Sequence, residues 1–207
     1  MYNWIIFDID GTILDTETAV LASLQKLVLE ELNKNLSFEE LRFAFGIPGE
    51  AALSQLGMPD PIEANAKWDR YFQEDIHLVK VFDDIENTLI ELKRMGVSTG
   101  IVTSKTKEEL ISDFTPFGLT DYFQLVVCAD DTEKHKPDPE PILKFIEMSG
   151  GQKSGMIYIG DTKYDKDCAF GAGIDFALAL WGAKSAAGIN PTYILENPRQ
   201  LLELIQI

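Results

Sequence analysis

Two aspartates stand two residues apart in Asp8-Ile9-Asp10-Gly11-Thr12, directly after the apolar run Ile5-Ile6-Phe7. Carboxylates at the end of such a run are costly to bury unless a cation or hydrogen-bond donors meet them. If the chain turns there, both can converge on one hard divalent cation such as Mg2+, which takes oxygen ligands and keeps several waters. Gly11 permits close backbone approach, and amides around Gly11 and Thr12 can hold phosphate oxygens. The plainer alternative is a solvated turn that carries two acids. A second acidic pair, Asp161 and Asp165, follows another apolar run in Gly160-Asp161-Thr162-Lys163-Tyr164-Asp165. Alone it reads equally as a helix N-cap; beside the first pair it completes a divalent-ion site. Thr103 and Ser104 precede a helical segment, where hydroxyls and amides suit phosphate but also suit ordinary capping. Lys136, in Lys134-His135-Lys136-Pro137-Asp138-Pro139, can act as a point charge on phosphate and on a carboxylate. Taken alone it is a surface lysine.

The elements that must position these groups follow from periodicity. Residues 5–9 read as a buried strand, as do 97–103, 124–128, 156–159 and 176–180. Helices are expected over 84–95, 107–117, 139–149, 166–173 and 198–205, with Gly96, Gly118 and Gly150 at helix ends. Strands alternating with helices imply right-handed crossovers and a parallel sheet covered on both faces. In such a sheet ligands bind at the C-terminal edge of the strands. Residues 16–80 interrupt the alternation. Val20, Leu21, Leu24, Leu27, Val28 and Leu32 recur at helical steps, Ser37 with Glu40 signals a helix start, and further helices are expected over 50–56 and 63–77. The expected architecture is therefore α/β: a Rossmann-like parallel sheet core formed by residues 1–15 plus 81–207, with an inserted all-helical domain at 16–80.

The four chemical segments, in this order and each at the end of a β-like run, resemble the four signature motifs of the haloacid dehalogenase superfamily. The resemblance spans nearly the whole chain and is closest to the phosphoglycolate-phosphatase-like branch, whose helical cap follows the first motif as residues 16–80 do here. It implies a phosphatase acting on a small phosphomonoester, phosphoglycolate-like or a sugar phosphate. Asp8 would be the nucleophile that forms an aspartyl-phosphate. Asp10 would be the acid and then the base. Asp8, the carbonyl of Asp10, and Asp161 would bind Mg2+ with Asp165 in support, Thr103 would hydrogen-bond the phosphoryl group, and Lys136 would neutralise charge. Dehalogenases lack the second aspartate, so Asp10 argues against dehalogenation. A phosphomutase of the β-phosphoglucomutase type and a pyrophosphatase share this chemistry. A binding protein without turnover is the reading the intact residue set disfavours.

Composition limits the partners. With 34 acidic against 18 basic residues in a chain of 207, the formal charge is −16, which disfavours nucleic acid and anionic membranes. A small phosphorylated metabolite is compatible if local cations offset the repulsion. No apolar stretch approaches the roughly 18 residues of a membrane helix, and no basic segment or long apolar run marks a signal peptide. A cytoplasmic protein, monomer or homodimer, is expected. Cys128 and Cys168 lie in apolar runs and read as buried thiols. His77 and His135 show no ligand partner, and Trp4, Trp68, Tyr71, Phe72 and Trp181 read as packing residues. In the helical insert, Arg42 near Gly46-Ile47-Pro48-Gly49 is the substrate-recognition candidate, able to grip a distal anion. Lys105 and Lys107 read either as solvated or as weakly attracting anions.

Overall fold

The computed structural model describes residues 2–183 and 185–205. The first apolar run forms β1 (Trp4–Phe7), and a two-residue strand, β2 (Leu14–Asp15), follows. Helices α1 (Glu17–Leu32), α2 (Phe38–Leu41), α3 (Gly49–Leu56) and α4 (Pro61–Asp75) come next. β3 (Lys80–Val81) then returns antiparallel to β2. The remainder runs α5 (Ile85–Arg94), β4 (Ser98–Val102), α6 (Lys107–Glu109), β5 (Leu125–Val127), α7 (Glu140–Ser149), β6 (Met156–Gly160), α8 (Lys163–Ala172), β7 (Asp175–Ala179), α9 (Leu180–Ala183), β8 (Tyr193–Leu195) and α10 (Leu201–Ile205).

Six strands form one parallel sheet in the order β5-β4-β1-β6-β7-β8. β1 lies between β4 and β6, with Phe7 level with Ile101 on one side and Ile159 on the other. The chain leaves β1 toward β4 and later crosses to β6 on its far side, which opens a crevice at the C-terminal ends of these strands. Asp8, Thr103 and Asp161 each follow one of the three strand ends, so the register alone brings them to one edge.

The sheet is held from both faces. Ile5 and Phe7 pack with Ile101, Ile157 and Ile159 against Ile85 and Leu89 of α5 and Leu201 of α10. Ile6 faces the other way, with Val102, Val127 and Tyr158, against Phe145 of α7 and Cys168 of α8. Each large apolar side chain so buried contributes about 1.5–3 kcal/mol. Both cysteines are buried thiols, as expected.

The insert between β2 and β3 has its own apolar cluster, formed by Leu21, Leu24 and Leu27 of α1 with Leu53 of α3 and Trp68 of α4. Its turns use local chemistry. Ser37 and Glu40 close a capping box, and the Asp60 side chain accepts the Glu63 N–H at 3.1 Å. Phe72 of α4 belongs to the core cluster that holds Phe7 rather than to the insert's own.

Three differences from the periodicity carry reasons. The helix expected over 107–117 is three pieces: α6, a π turn at Leu110–Phe114 and a 3-10 turn at Thr115–Phe117. Pro116 has no N–H for the carbonyl four residues back, so the α pattern cannot run through it. α8 begins three residues before the expected Lys166 because Thr162 and Asp165 form a capping box. β8 and α9 were not expected; at three and four residues they are too short for periodicity to register.

Candidate active site

Asp8 extends the β1–β6 ladder by one bond, its N–H donating to the Ile159 carbonyl at 2.9 Å, and its side chain is buried. Lys136, also buried, reaches it from the loop between β5 and α7. The ammonium lies 3.0 Å from Asp8 Oδ1 and 2.7 Å from Asp165 Oδ1, and it donates to the Tyr158 hydroxyl at 3.2 Å. Its three hydrogens thus have three oxygens to meet. Tyr158 donates in turn to the Val102 carbonyl at 2.7 Å. Burial by itself would lower the lysine's pKa, but Asp165 and Asp8 outweigh it and hold the group charged.

Asp8, Asp161 and Asp165 present carboxylate oxygens within 4.8 Å of one another, all buried. Burial raises Asp8 to about 7; Lys136 opposes the rise, while Asp165 and Asp10 add to it. Burial, then Asp165 and Asp8, push Asp161 well above the ordinary carboxylate range. Three ionised carboxylates with one ammonium leave a local charge of −2. A divalent cation offsets that charge, and an all-oxygen set suits a hard one. Asp165 is already committed, with Oδ1 on Lys136 and Oδ2 accepting the Thr162 N–H at 2.9 Å and the Thr162 hydroxyl at 2.5 Å. Asp161 accepts only a long hydrogen bond from the Thr12 hydroxyl, 3.4 Å, among the side-chain contacts of the described residues. The donor set therefore fits Mg2+, with Asp8 and Asp161 as the better-placed ligands.

Gly11 is required where it stands. Its φ is +77°, and a Cβ there would lie 2.3 Å from Asp161 Oδ2. The amides expected to cradle phosphate are otherwise engaged: Gly11 N–H donates to the Leu14 carbonyl at 2.8 Å and Thr12 N–H to the Ile9 carbonyl at 3.2 Å. Gly11 and Thr12 thus shape the turn, and the Thr12 hydroxyl bonds Asp161. Asp10 has Oδ1 buried without a hydrogen-bond partner, while Oδ2 lies 3.5 Å from Lys105 Nζ. Thr103 is buried; its N–H continues the ladder to the Val127 carbonyl at 3.0 Å, and its hydroxyl accepts the Lys105 N–H at 3.2 Å. Ser104 donates across to the insert, at 3.1 Å from the Gly46 carbonyl.

A cavity lies between the sheet edge and the insert. It is lined by Asp8, Asp10, Ser104 and Lys105 below and by Phe45, Gly46, Trp68, Asp69 and Phe72 above. Arg42 does not line it. That side chain pairs with Glu17 at 2.6 Å and Glu39 at 3.2 Å, beside a neighbouring groove that Asp161 and Thr162 also border. His77 lies on the insert, its ring 3.1 Å from the Glu74 carbonyl, and His135 is absent from the cavity wall.

Several groups at the site had no distinctive signal in the sequence. Lys105, read either as solvated or as weakly attracting anions, is buried between Asp113 and Asp10. Burial would lower its pKa, but Asp10, Asp113 and Glu109 outweigh that and keep it charged. Asp113 stands in the sequence as one acid on an amphipathic helix, and Tyr158 as one aromatic in a strand. Nothing local distinguishes either.

The chain matches the haloacid dehalogenase-like hydrolase model over residues 5–179 and belongs to that family. It is an enzyme of the family's phosphatase kind. Among relatives it is similar to the pyrophosphatase PpaX of Bacillus velezensis, with 30% identity over 97% of this chain and 94% of that one. It is also similar to the phosphoglycolate phosphatase of Aquifex aeolicus, with 29% identity over 97% of this chain and 95% of that one. A crystal structure from Lactobacillus plantarum superposes with a TM-score of 0.89 at 27% identity, covering 99% of each chain.

Proposed function

We propose that this chain is a Mg2+-dependent phosphatase that hydrolyses a small phosphomonoester through an aspartyl-phosphate on Asp8. The observation that carries the proposal is the buried set at the sheet edge: Asp8 3.0 Å from the Lys136 ammonium and clustered with Asp161 and Asp165. Asp8 attacks phosphorus, and the bond from phosphorus to the leaving oxygen breaks as Asp10 gives that oxygen its proton. Asp10 then takes a proton from water, which attacks the aspartyl-phosphate; the acyl-oxygen–phosphorus bond breaks and Asp8 is restored. Lys136 and the Thr103 hydroxyl stabilise charge on the phosphoryl oxygens. Asp8, Asp161 and the Asp10 carbonyl, with Asp165 behind them, would hold Mg2+, which would supply the positive charge that lets a dianionic phosphate approach a carboxylate.

In this reading residues 1–15 plus 81–207 are the catalytic core and 16–80 the cap that selects substrate. A cavity set between the sheet edge and the insert suits a metabolite better than a phosphorylated macromolecule. Its wall favours a particular leaving group. Lys105 is the one cation among the described lining residues, and Asp69, Glu109 and Asp113 line the same cavity. That balance suits a neutral, hydroxyl-bearing leaving group such as a sugar better than a carboxylate or a second phosphate. Pyrophosphate is the second reading, supported by the likeness to the Bacillus velezensis protein. Phosphate release from sugar phosphates, phosphoglycolate and pyrophosphate, with Mg2+ and after chelation, tests the proposal. Release confined to Mg2+ and fastest with sugar phosphates supports it; release unaffected by chelation sinks the metal role. Conversion of glucose 1-phosphate to an isomer without phosphate release would instead indicate a mutase.

A further inference from the structure

Four side chains connect the acid–base candidate to the helical insert. Lys105 Nζ lies 3.5 Å from Asp10 Oδ2 and 2.9 Å from Asp113 Oδ2. Asp113, itself buried, accepts on its other oxygen from Gln73 Nε2 at 2.6 Å. Gln73 belongs to α4 of the insert. The residue before it, Phe72, places its ring centroid 5.1 Å from the same ammonium, within reach of a cation–π contact. The core side of the connection rests on the π turn at Leu110–Phe114, a local widening that is frequent at functional sites. The turn carries Asp113, and the neighbouring Ser112 hydroxyl donates to Asp113 Oδ1 at 2.6 Å. Meanwhile Asp10 Oδ1 is buried without a hydrogen-bond partner. One oxygen of Asp10 is thus paired with Lys105, and the other is buried with no hydrogen-bond partner.

We infer that Lys105 is a positioning residue for Asp10, and that Asp113 and Gln73 tie its placement to the seating of the insert. When the insert is docked, Phe72 and Gln73 help hold the Lys105–Asp113 pair, and the ammonium holds Oδ2 of Asp10 and so fixes the carboxyl for proton transfer. Proton donation would then be at full strength only over a covered site. The inference rests on the phosphatase reading above. It differs from a phosphoryl-binding role for Lys105, because a group that acts through the acid matters most when the leaving oxygen needs a proton.

The test compares kcat/KM for phenyl phosphate and p-nitrophenyl phosphate, whose nitrophenolate leaves without much help. General acid catalysis contributes about 10²–10⁴-fold. Lys105→Met is expected to lose at least tenfold more on phenyl phosphate than on the nitrophenyl ester, Lys105→Arg to recover most of that loss, and Gln73→Leu to show a smaller loss of the same selectivity. Asp113→Asn, close to isosteric, serves if Lys105→Met does not fold, which thermal unfolding would reveal, and is expected to show the same selectivity. Equal losses on both esters, or no loss, would overturn the positioning role while leaving the phosphatase reading intact. Hydrolysis of neither ester by the unaltered protein would sink both.

Discussion

Lys136 is the residue on which the site's charge balance depends. Its ammonium meets Asp8, Asp165 and Tyr158 at once and is almost wholly buried. Removing one partner of a buried ion pair leaves an uncompensated charge and costs about 3–5 kcal/mol. Lys136→Met is therefore expected to lower stability by that amount in urea unfolding at pH 8 and to abolish turnover. A loss below about 1 kcal/mol would contradict the account. Asp69 gives a pH-dependent case. Burial, then Glu109 and Asp113, raise its pKa to about 7 from an ordinary 3.8. Its folded state holds a proton more tightly than its unfolded state, so its contribution is fully present below about pH 4 and lost as pH rises through 7. Asp69→Asn should be more stable than the parent at pH 8, with the gain shrinking toward pH 4; a gain that is constant with pH would refute the shift. The residues legible in the sequence were those whose meaning is local. Asp8 and Asp10 are two apart, and Asp161 and Asp165 share a turn. Lys105 could not be read, because its burial depends on Phe72 from a helix more than thirty positions earlier and on a π turn that periodicity renders as plain helix.

At the scale of elements, the turn after β1 carries the most constraint. Gly11 has a φ of +77° and almost no room beside Asp161. Gly11→Ala is expected to cost upward of about 1 kcal/mol from the backbone alone and to displace Asp161. Phosphate release should fall by more than the stability change explains, seen as reduced activity at a temperature where circular dichroism shows the protein folded. Full activity in that variant would mean the Asp161 carboxylate is not held where the mechanism needs it. Core strands were legible because apolar runs of four or five residues have few other destinations. The insert's helices were legible from their three- and four-residue steps and from Ser37 with Glu40 at the start of α2. β8 failed because Tyr193-Ile194-Leu195 is only three residues long, too short a run to mark a strand, and two of the three are exposed. Arg42 was singled out for its charge, yet Glu17 and Glu39 pair with it, and pairing across α1 and α2 is invisible without the fold.

Across the whole molecule, the acidity reaches into the site itself. The formal charge is −16, and Lys105 and Lys136 are each buried between two carboxylates, Asp10 and Asp113 for the first and Asp8 and Asp165 for the second. In the proposed mechanism a bound cation would therefore offset the charge of an entering phosphate. None of the described helices is long and apolar enough to cross a membrane. The central claim remains that phosphate is transferred to Asp8. An aspartyl-phosphate is reduced by borohydride to homoserine, so quenching turnover of p-nitrophenyl phosphate with borohydride and sequencing the peptide around residue 8 by mass spectrometry tests it directly. The account predicts homoserine at position 8 only when substrate and Mg2+ are both present, more of it in Asp10→Asn, and none in Asp8→Asn, which releases no phosphate. Undiminished phosphate release by Asp8→Asn, or turnover that never modifies residue 8, would contradict it.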